Sequence, residues 1–238
     1  MSRTAQKFIK NYGTSHRIFR SVCPNKIFDA ANSDSTAEFR YHFASEIDTL
    51  NEKYQAQASI EARWVVPSVN FFSTLSPLDQ DAFNRGKSVS LIKYTETNWH
   101  PQLFIENALG DLKEQIRYTA RKTSNDQACI CEHRDIKGLF WEKLELNHFP
   151  SDIQELSVSV GSMFYNDRVL LMPDPYYRSG VNHEAFVDQQ EWKLYQHVNV
   201  QQRFVREFFE SIGDDEYDDI NSNEGRKRSL VSVSCHVG

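Results

Sequence analysis

The chain is poor in cysteine and has no long apolar run. Its 238 residues include only four cysteines, Cys23, Cys129, Cys131 and Cys235, and their wide spacing does not indicate a small disulfide framework. No apolar stretch approaches the ~20 residues that span a bilayer. The polar N-terminal residues also lack the apolar core of a signal peptide. We therefore expect the chain, taken alone, to be soluble.

A basic composition and the common catalytic motifs are also absent. The formal net charge is -6 and the pI is about 5.8, which argues against non-specific binding to nucleic acid. The sequence has no nucleophile-elbow serine motif, no phosphate-binding loop and no paired-histidine zinc motif. It therefore predicts neither an enzyme nor a bound cofactor.

What the sequence does contain is period-two alternation of apolar and polar residues. Residues 56–64 alternate small or apolar side chains with polar ones, and residues 231–237 alternate valine and cysteine with serine and histidine. Such alternation predicts strands with one buried and one polar face. Many short runs of this kind, broken by turn residues, favour an all-β fold, an antiparallel immunoglobulin-like β-sandwich of about ten strands.

The N-terminal residues follow a different pattern. In residues 1–35 apolar side chains recur at roughly helical spacing, and Pro24 with the polar residues 32–35 ends this region. We predict an N-terminal helical extension and linker over 1–35. The β-sandwich is then predicted over 36–238.

One short stretch near the middle of the chain carries an unusual corner. Phe149-Pro150 fixes a turn, because proline locks its own φ and moves the preceding residue away from helical geometry. Asp152 can accept hydrogen bonds from backbone amides in that corner. Residues 156–160 then alternate apolar residues with serine, which predicts a strand leaving the turn.

This corner resembles the signature loop of pentameric ligand-gated ion channels, the Cys-loop receptor superfamily. That family shows Phe-Pro-x-Asp between two cysteines that flank thirteen residues, and here the two positions are Glu142 and Leu156. The chain is thus similar to the cysteine-less members of the family. Further landmarks follow in the family's order: the turn at 47–53, the strand ending at Trp64, and the segments at 99–111, 134–140, 161–163 and 191–192.

The resemblance implies an extracellular ligand-binding domain from about residue 36 to the end. It implies a homopentamer at the cell membrane, on the extracellular or periplasmic side, that binds a small ligand between subunits and gates a pore not present in this chain. The secretion signal and membrane part would then lie outside this chain. The ligand-binding residues that it implies on the principal side are Ile105, Glu106, Met163, Phe164, Tyr165 and Tyr217, with Tyr217 in the hairpin tip at about 211–225. Those that it implies on the complementary side are Gln57, Ser59, Glu61, Ile130 and Glu132.

The chemistry of this implied pocket differs from that of amine receptors. An amine is recognised by a box of aromatic faces, since the ring quadrupole attracts a cation, and most of the family's box is missing here. Phe164, Tyr165 and Tyr217 would rebuild part of it, while three glutamates, Glu61, Glu106 and Glu132, would supply negative charge to a cationic or proton-linked ligand. The alternative is that these glutamates are only hydrated interface residues.

The resemblance also implies a surface that couples the domain to a membrane pore. Its residues would be Asp48, Asn51, Glu52, Lys53, Phe149, Pro150 and Asp152. A packed interface switches between arrangements rather than deforming smoothly, so a shift in the ligand pocket would reach the pore through these residues. The alternative is that Phe149 only fills the bottom of the sandwich.

Three soft side chains, Cys129, Cys131 and His133, follow one another on one face of a predicted strand. They could bind zinc or copper, but successive positions on a strand face are ~7 Å apart, which is too far for one tetrahedral ion. Reduced cysteines in the core or in an interface are the favoured interpretation. Two further functions stay open, a soluble binding protein of the same fold without a channel, and a metal-dependent β-sandwich enzyme.

Overall fold

The computed structural model describes residues 33–42, 47–124, 127–144, 153–175, 177–182, 192–206 and 226–238. The predicted N-terminal helices lie outside these residues, as do the signature corner at Phe149, Pro150 and Asp152 and the hairpin tip with Tyr217. The first described strand begins at Ser33, three residues before the predicted domain boundary.

The described chain is built from twelve strands and three short helices. The strands are β1 Ser33–His42, β2 Ile47–Asp48, β3 Lys53–Pro67, β4 Val89–Leu91, β5 Leu103–Ile105, β6 Ala108–Ser124, β7 Gln127–Trp141, β8 Gln154–Ser162, β9 Val169–Pro173, β10 Gly180–Val181, β11 Leu194–Arg206 and β12 Lys227–Val237. The helices are α1 Val69–Phe72, α2 Pro77–Asn84 and α3 Tyr94–Thr97. None of the described helices is long and apolar enough to cross a membrane.

These strands form two sheets, which confirms the predicted all-β sandwich. The larger sheet has eight strands in the order β10-β1-β3-β7-β6-β4, with β2 added to β3 and β9 added to β1. The smaller sheet has four strands in the order β11-β12-β8-β5. All pairs are antiparallel except those that β1 makes with β9 and β10, which are parallel. The sheets are therefore antiparallel, as predicted, with one parallel edge.

Alternation along β3 explains how the sheets meet. Every second residue from Tyr54 to Val66 is buried, and the residues between them are partly exposed. The same holds for Leu156, Val158 and Val160 of β8, which are fully buried. These inward faces belong to one core cluster with the valines of β12. Burial of apolar surface contributes ~25 cal/mol per Å², so this shared core holds the two sheets together.

An aromatic cluster fills one end of the core. The ring of Trp64 lies 6.3–6.5 Å, centroid to centroid, from the rings of Tyr94, Trp99 and Tyr118. At the other end the ring of Tyr54 stacks on Phe140 at 5.5 Å, and its hydroxyl donates to the carbonyl of Ser157 in the opposite sheet. Such ring pairs add ~0.5–1.5 kcal/mol each beyond their buried area.

Candidate functional site

The first predicted ligand segment lies on the edge of the smaller sheet. Strand β5 pairs only with β8 among the described strands, with Leu103 opposite Ser162 and Ile105 opposite Val160. The amide of Glu106 continues this pairing by donating to the carbonyl of Ser159 at 2.8 Å. Ile105 and Glu106 are therefore held in register at an open sheet edge.

The second predicted segment, Met163–Tyr165, directly follows β8. The amide of Met163 donates to the Gln102 carbonyl at 3.0 Å, and the ring of Phe164 stacks on Trp99 with centroids 6.2 Å apart. Ser162 stabilises the bend, because its buried hydroxyl donates to a carbonyl and accepts from the amide of Phe164 at 3.1 Å. Met163 is left half exposed.

The third predicted segment is the tip of the β11–β12 hairpin, and its base touches the second segment. The guanidinium groups of Arg226 and Arg228 lie 5.3 and 5.0 Å from the ring centroid of Tyr165. Arg228 also donates to the carbonyl of Met163 at 2.8 Å, and the amide of Asn166 donates to the carbonyl of Lys227 at 2.9 Å. The second segment and the base of the third therefore meet around Tyr165, whereas Ile105 and Glu106 lie further along β8, beside Val160 and Ser159.

A polar cleft of about 490 Å³ lies beside Glu106 on the outward face of the smaller sheet. Arg203 crosses this face and donates to the hydroxyls of Ser232 and Ser159 at 2.9 and 3.2 Å. Its guanidinium ends in an ion pair with the carboxylate of Glu106. Sequence reasoning missed Arg203 and Ser232. The serines that alternate with valine along β8 and β12 are the signal that marks this polar face.

The floor of the cleft is tied together by Asn107 and Glu142. The side-chain nitrogen of Asn107 donates to the Ser157 carbonyl at 2.7 Å, and its side-chain oxygen accepts from the backbone amide of Ser159 at 3.1 Å. Glu142 accepts from both the amide and the hydroxyl of Ser157. Burial raises the pKa of the Glu142 carboxyl, and these hydrogen bonds oppose that rise. The cleft therefore contains a carboxyl group whose pKa lies above its ordinary value.

Gln57, Ser59 and Glu61 of the predicted complementary side lie on the outward face of the larger sheet. The hydroxyl of Ser59 donates to the carboxylate of Asp135 at 2.6 Å. One carboxylate oxygen of Glu61 lies 3.2 Å from Nδ1 of His133, and the other pairs with Arg63. Since all of β3 alternates, these residues form one continuous polar row.

The structure corrects the expected neighbours of this row. Ile130 and Glu132 are fully buried and lie on the opposite, core-facing side of β7. The register explains the difference, because Glu61 lies opposite His133, so alternate residues of β7 starting from His133 share the outward face. Ile130 and Glu132 therefore cannot contact a ligand bound over Glu61.

Glu132 instead belongs to a buried charge network. Its carboxylate accepts from Nε of Arg134 at 2.9 Å and from the hydroxyl of Tyr118 at 3.0 Å. Arg134 also reaches the carboxylate of Glu114 at 3.5 Å. Burial and the adjacent Glu132 carboxylate raise the pKa of Tyr118, which keeps this hydroxyl a donor. A buried charge must be paired in this way to be tolerated.

The three glutamates expected to attract a cation therefore all contact arginine. Glu61 pairs with Arg63, Glu106 with Arg203, and Glu132 with Arg134. Each of these three carboxylates is consequently compensated by a neighbouring guanidinium.

The described coupling residues, Asp48, Asn51, Glu52 and Lys53, form a tight turn between β2 and β3. Asp48 accepts from the amide and side chain of Asn51 at 3.1 and 2.8 Å and pairs with Lys53 at 3.3 Å. The Asn51 hydrogen bond lowers the pKa of Asp48. Glu52 has a φ of 49°, and its carbonyl accepts from the amide of Glu142 at 3.0 Å. This turn therefore lies beside the chain that leads into the signature stretch.

The cysteine and histidine cluster has a different composition from the expected one. Cys131 and His133 come together with Glu61 of the neighbouring strand, and one ligand atom of each lies within 4.8 Å of the others. Cys129 is not part of this group. The ~7 Å spacing along one strand therefore does not decide the question, because the ligand atoms of Cys131 and His133 come within 4.8 Å of each other and Glu61 of β3 adds a third.

Comparisons with known proteins do not assign the chain. No protein-family model matches it, and no curated protein is significantly similar to it. The function of this chain is therefore inferred from its residues and their geometry.

Proposed function

We propose that this chain is the extracellular ligand-binding domain of a pentameric ligand-gated ion channel that lacks the signature disulfide. The observation that carries the proposal is the meeting of two predicted ligand segments around Tyr165, the bend after β8 and the base of the β11–β12 hairpin. The third segment, at the end of β5, lies on the same smaller sheet, further along β8. In the proposed channel this region is the principal side of the ligand pocket.

The position of the polar row supports a pocket shared between subunits. Gln57, Ser59 and Glu61 lie on the outward face of the larger sheet, whereas Arg203 and Glu106 lie on the outward face of the smaller sheet. The two outward faces of a sandwich point away from each other, so one chain cannot bring both sides against one ligand. A head-to-tail contact between copies can, and such contacts close into rings.

In the proposed channel the ligand is a small molecule that carries a cationic amine. A carboxylate on the same molecule would be a favourable second group. An amine would bind over Tyr165 by displacing Arg226 or Arg228, since ring faces attract cations. The released guanidinium would then pair with the ligand's carboxylate in the bidentate geometry that arginine favours. The arginines over Tyr165 thus favour small zwitterions over simple quaternary amines.

Coupling in this proposal runs through the bottom of the sandwich. The turn that contains Asp48 and Asn51 is made rigid by its hydrogen bonds, and Glu52 joins it to Glu142 of the cleft floor. A ligand that shifts the cleft floor would move this turn and bias a pore between two arrangements. The chain would lie on the extracellular or periplasmic side of the membrane.

A chimeric channel tests this proposal. The full chain is fused to the pore domain of a pentameric channel, and currents are recorded as primary amines and amino acids are applied. Tyr165→Ala should weaken the response to an active compound at least tenfold, whereas Tyr195→Ala should not. Tyr195 is a matched control, because Nζ of Lys193 lies 5.7 Å from its ring centroid. Tyr195 lies near the start of β11, at the end away from the hairpin base.

Two results would argue against the proposal. If Tyr165→Ala and Tyr195→Ala reduce the currents equally, the ligand pocket does not lie at Tyr165. Binding of the same compounds by the isolated chain, with no current from the folded chimera at the cell surface, would favour a binding protein without a channel.

A further inference from the structure

We propose that Glu61, Cys131 and His133 form a binding site for a zinc ion on the outward face of the larger sheet. The site belongs to the chain itself and does not depend on the proposed channel function. Its three ligands come from two strands, Glu61 from β3 and the other two from β7. Carboxylate oxygen, imidazole nitrogen and thiolate sulfur are all established ligands of zinc.

The register of the two strands creates this cluster. Glu61 lies directly opposite His133, and Arg63 lies opposite Cys131. Directly opposed side chains on one sheet face are close neighbours, and diagonal neighbours are within reach of long side chains. Glu61 is therefore adjacent to His133 and diagonal to Cys131, which adds a third ligand to the two that β7 supplies.

The distances are close to those that a tetrahedral ion requires. Zinc bonds of 2.0–2.3 Å place the ligand atoms roughly 3.3–3.8 Å from one another, and the three atoms here all lie within 4.8 Å of one another. The carboxylate oxygen of Glu61 is already 3.2 Å from Nδ1 of His133. Small side-chain rotations would complete the coordination without a change of the backbone.

Thr119 orients the histidine as the outer partner of a metal ligand does. Its hydroxyl oxygen lies 3.1 Å from Nε2 of His133, while Nδ1 faces Glu61. A histidine that binds a metal through one ring nitrogen normally has the other held by such a partner. Thr119 is therefore a positioning residue of the proposed site.

Two of the three ligands are open to solvent. The side chains of His133 and Glu61 are 27% and 25% exposed, whereas Cys131 is buried beside them, so zinc would enter past the histidine and the glutamate and keep water in its fourth position. The second oxygen of Glu61 stays with Arg63, whose charge is also shared with Asp174 at 3.2 Å and with the ring of Tyr177 at 4.6 Å. The charge of this arginine is thus already shared among three partners.

Cobalt titration of the reduced full chain at neutral pH tests this site. Cobalt replaces zinc in tetrahedral sites, and a cysteine ligand gives an intense thiolate-to-cobalt absorption in the near ultraviolet. We expect one equivalent of cobalt to produce this band and one equivalent of zinc to remove it. Metal analysis after dialysis should find one zinc per chain.

Matched variants identify the ligands. Cys131→Ser should abolish the thiolate band, whereas Cys129→Ser and Cys23→Ser should keep it. His133→Gln and Glu61→Gln should each weaken zinc binding at least ~10-fold, and Thr119→Val should weaken it by about 10–100-fold. Gln55→Ala, on the same face but outside the cluster, should leave the affinity unchanged. Circular dichroism and thermal unfolding confirm that each variant is folded.

Two outcomes would overturn the proposal. The first is a folded wild-type chain that binds no cobalt or zinc at micromolar concentrations. The second is a thiolate band that survives Cys131→Ser, which would assign the metal to another cysteine.

Discussion

Arg203 of β11 reaches across two neighbouring strands to pair with Glu106 at the edge of the smaller sheet. The side chains are 44% and 30% exposed, so solvent screens their attraction. We expect Arg203→Ala and Glu106→Ala each to lower the free energy of unfolding by less than ~1 kcal/mol, with a coupling of roughly 0.2–1 kcal/mol in a double-mutant cycle measured by urea unfolding.

The same two variants should change ligand sensitivity more than stability. In the chimeric channel each is expected to shift the half-maximal ligand concentration at least tenfold, because Glu106 is one of the proposed ligand-binding residues and Arg203 pairs with its carboxylate. If the two variants lower the free energy of unfolding by several kcal/mol and leave ligand sensitivity unchanged, the Arg203–Glu106 pair stabilises the fold and does not contribute to ligand binding.

Substitution of Glu132 should lower the stability of the fold strongly. It is 1% exposed and pairs with Arg134, which is 8% exposed. Glu132→Gln leaves the guanidinium without its nearest negative partner, and breaking a buried pair costs roughly 3–5 kcal/mol. Glu61→Gln is the matched control and should cost less than ~1 kcal/mol, since Glu61 is partly exposed. Equal losses in urea unfolding would contradict the burial of Glu132.

Gly161 of β8 is required for close packing against β5. A Cβ at this position would lie 2.8 Å from Cζ of Phe104, closer than carbon atoms approach without displacement. Gly161→Ala should therefore lower the free energy of unfolding by about 1–3 kcal/mol. Gly180→Ala, where nothing lies within 4 Å, should change it by no more than ~0.5 kcal/mol. A Gly161→Ala variant with an unchanged free energy of unfolding would show that the Phe104 side chain moves aside at little cost.

Glu142 should make stability depend on pH. Burial raises the pKa of this carboxyl above its ordinary value of 4.5, against the opposing hydrogen bonds from Ser157. The folded chain thus holds this proton more tightly than the unfolded chain. The free energy of unfolding should therefore fall as pH rises from about 4.5 through the raised pKa, and stay lower above it.

Glu142→Gln removes this dependence while keeping an oxygen that accepts from Ser157. Its melting temperature should exceed that of the wild type at neutral pH, and the advantage should shrink as the pH approaches 4.5. Glu96→Gln, in an exposed pair with Lys93, should show no such trend. A melting temperature lowered equally at every pH would indicate that the Ser157 contacts outweigh the charge.

Alternation predicted the sandwich because a strand repeats every two residues. The pattern around Trp64 and that around Val233 each appear as a strand with one buried face. The three short helices between β3 and β5 were not predicted, because they are too short to show helical periodicity. One of them has a local signal, since Ser76 caps α2 by accepting from the amide of Asp79 and Pro77 opens the helix.

The site was harder to predict because it depends on register. Ile130 and Glu132 were expected beside Glu61, yet the alignment of β3 with β7 turns them into the core. The same register brings Glu61 to His133, a pairing that the sequence of one strand cannot reveal. Arg203 likewise reaches Glu106 over strands that are distant in sequence.

In the proposed channel the ligand pocket forms between copies of this chain. Electron cryo-microscopy of the purified chain, stabilised by chemical cross-linking, tests it most directly. We predict rings of five in which Met163 and Tyr165 of one subunit face Gln57 and Ser59 of the next. Isolated monomers at high concentration, or an assembly in which these two surfaces point away from each other, would contradict the account.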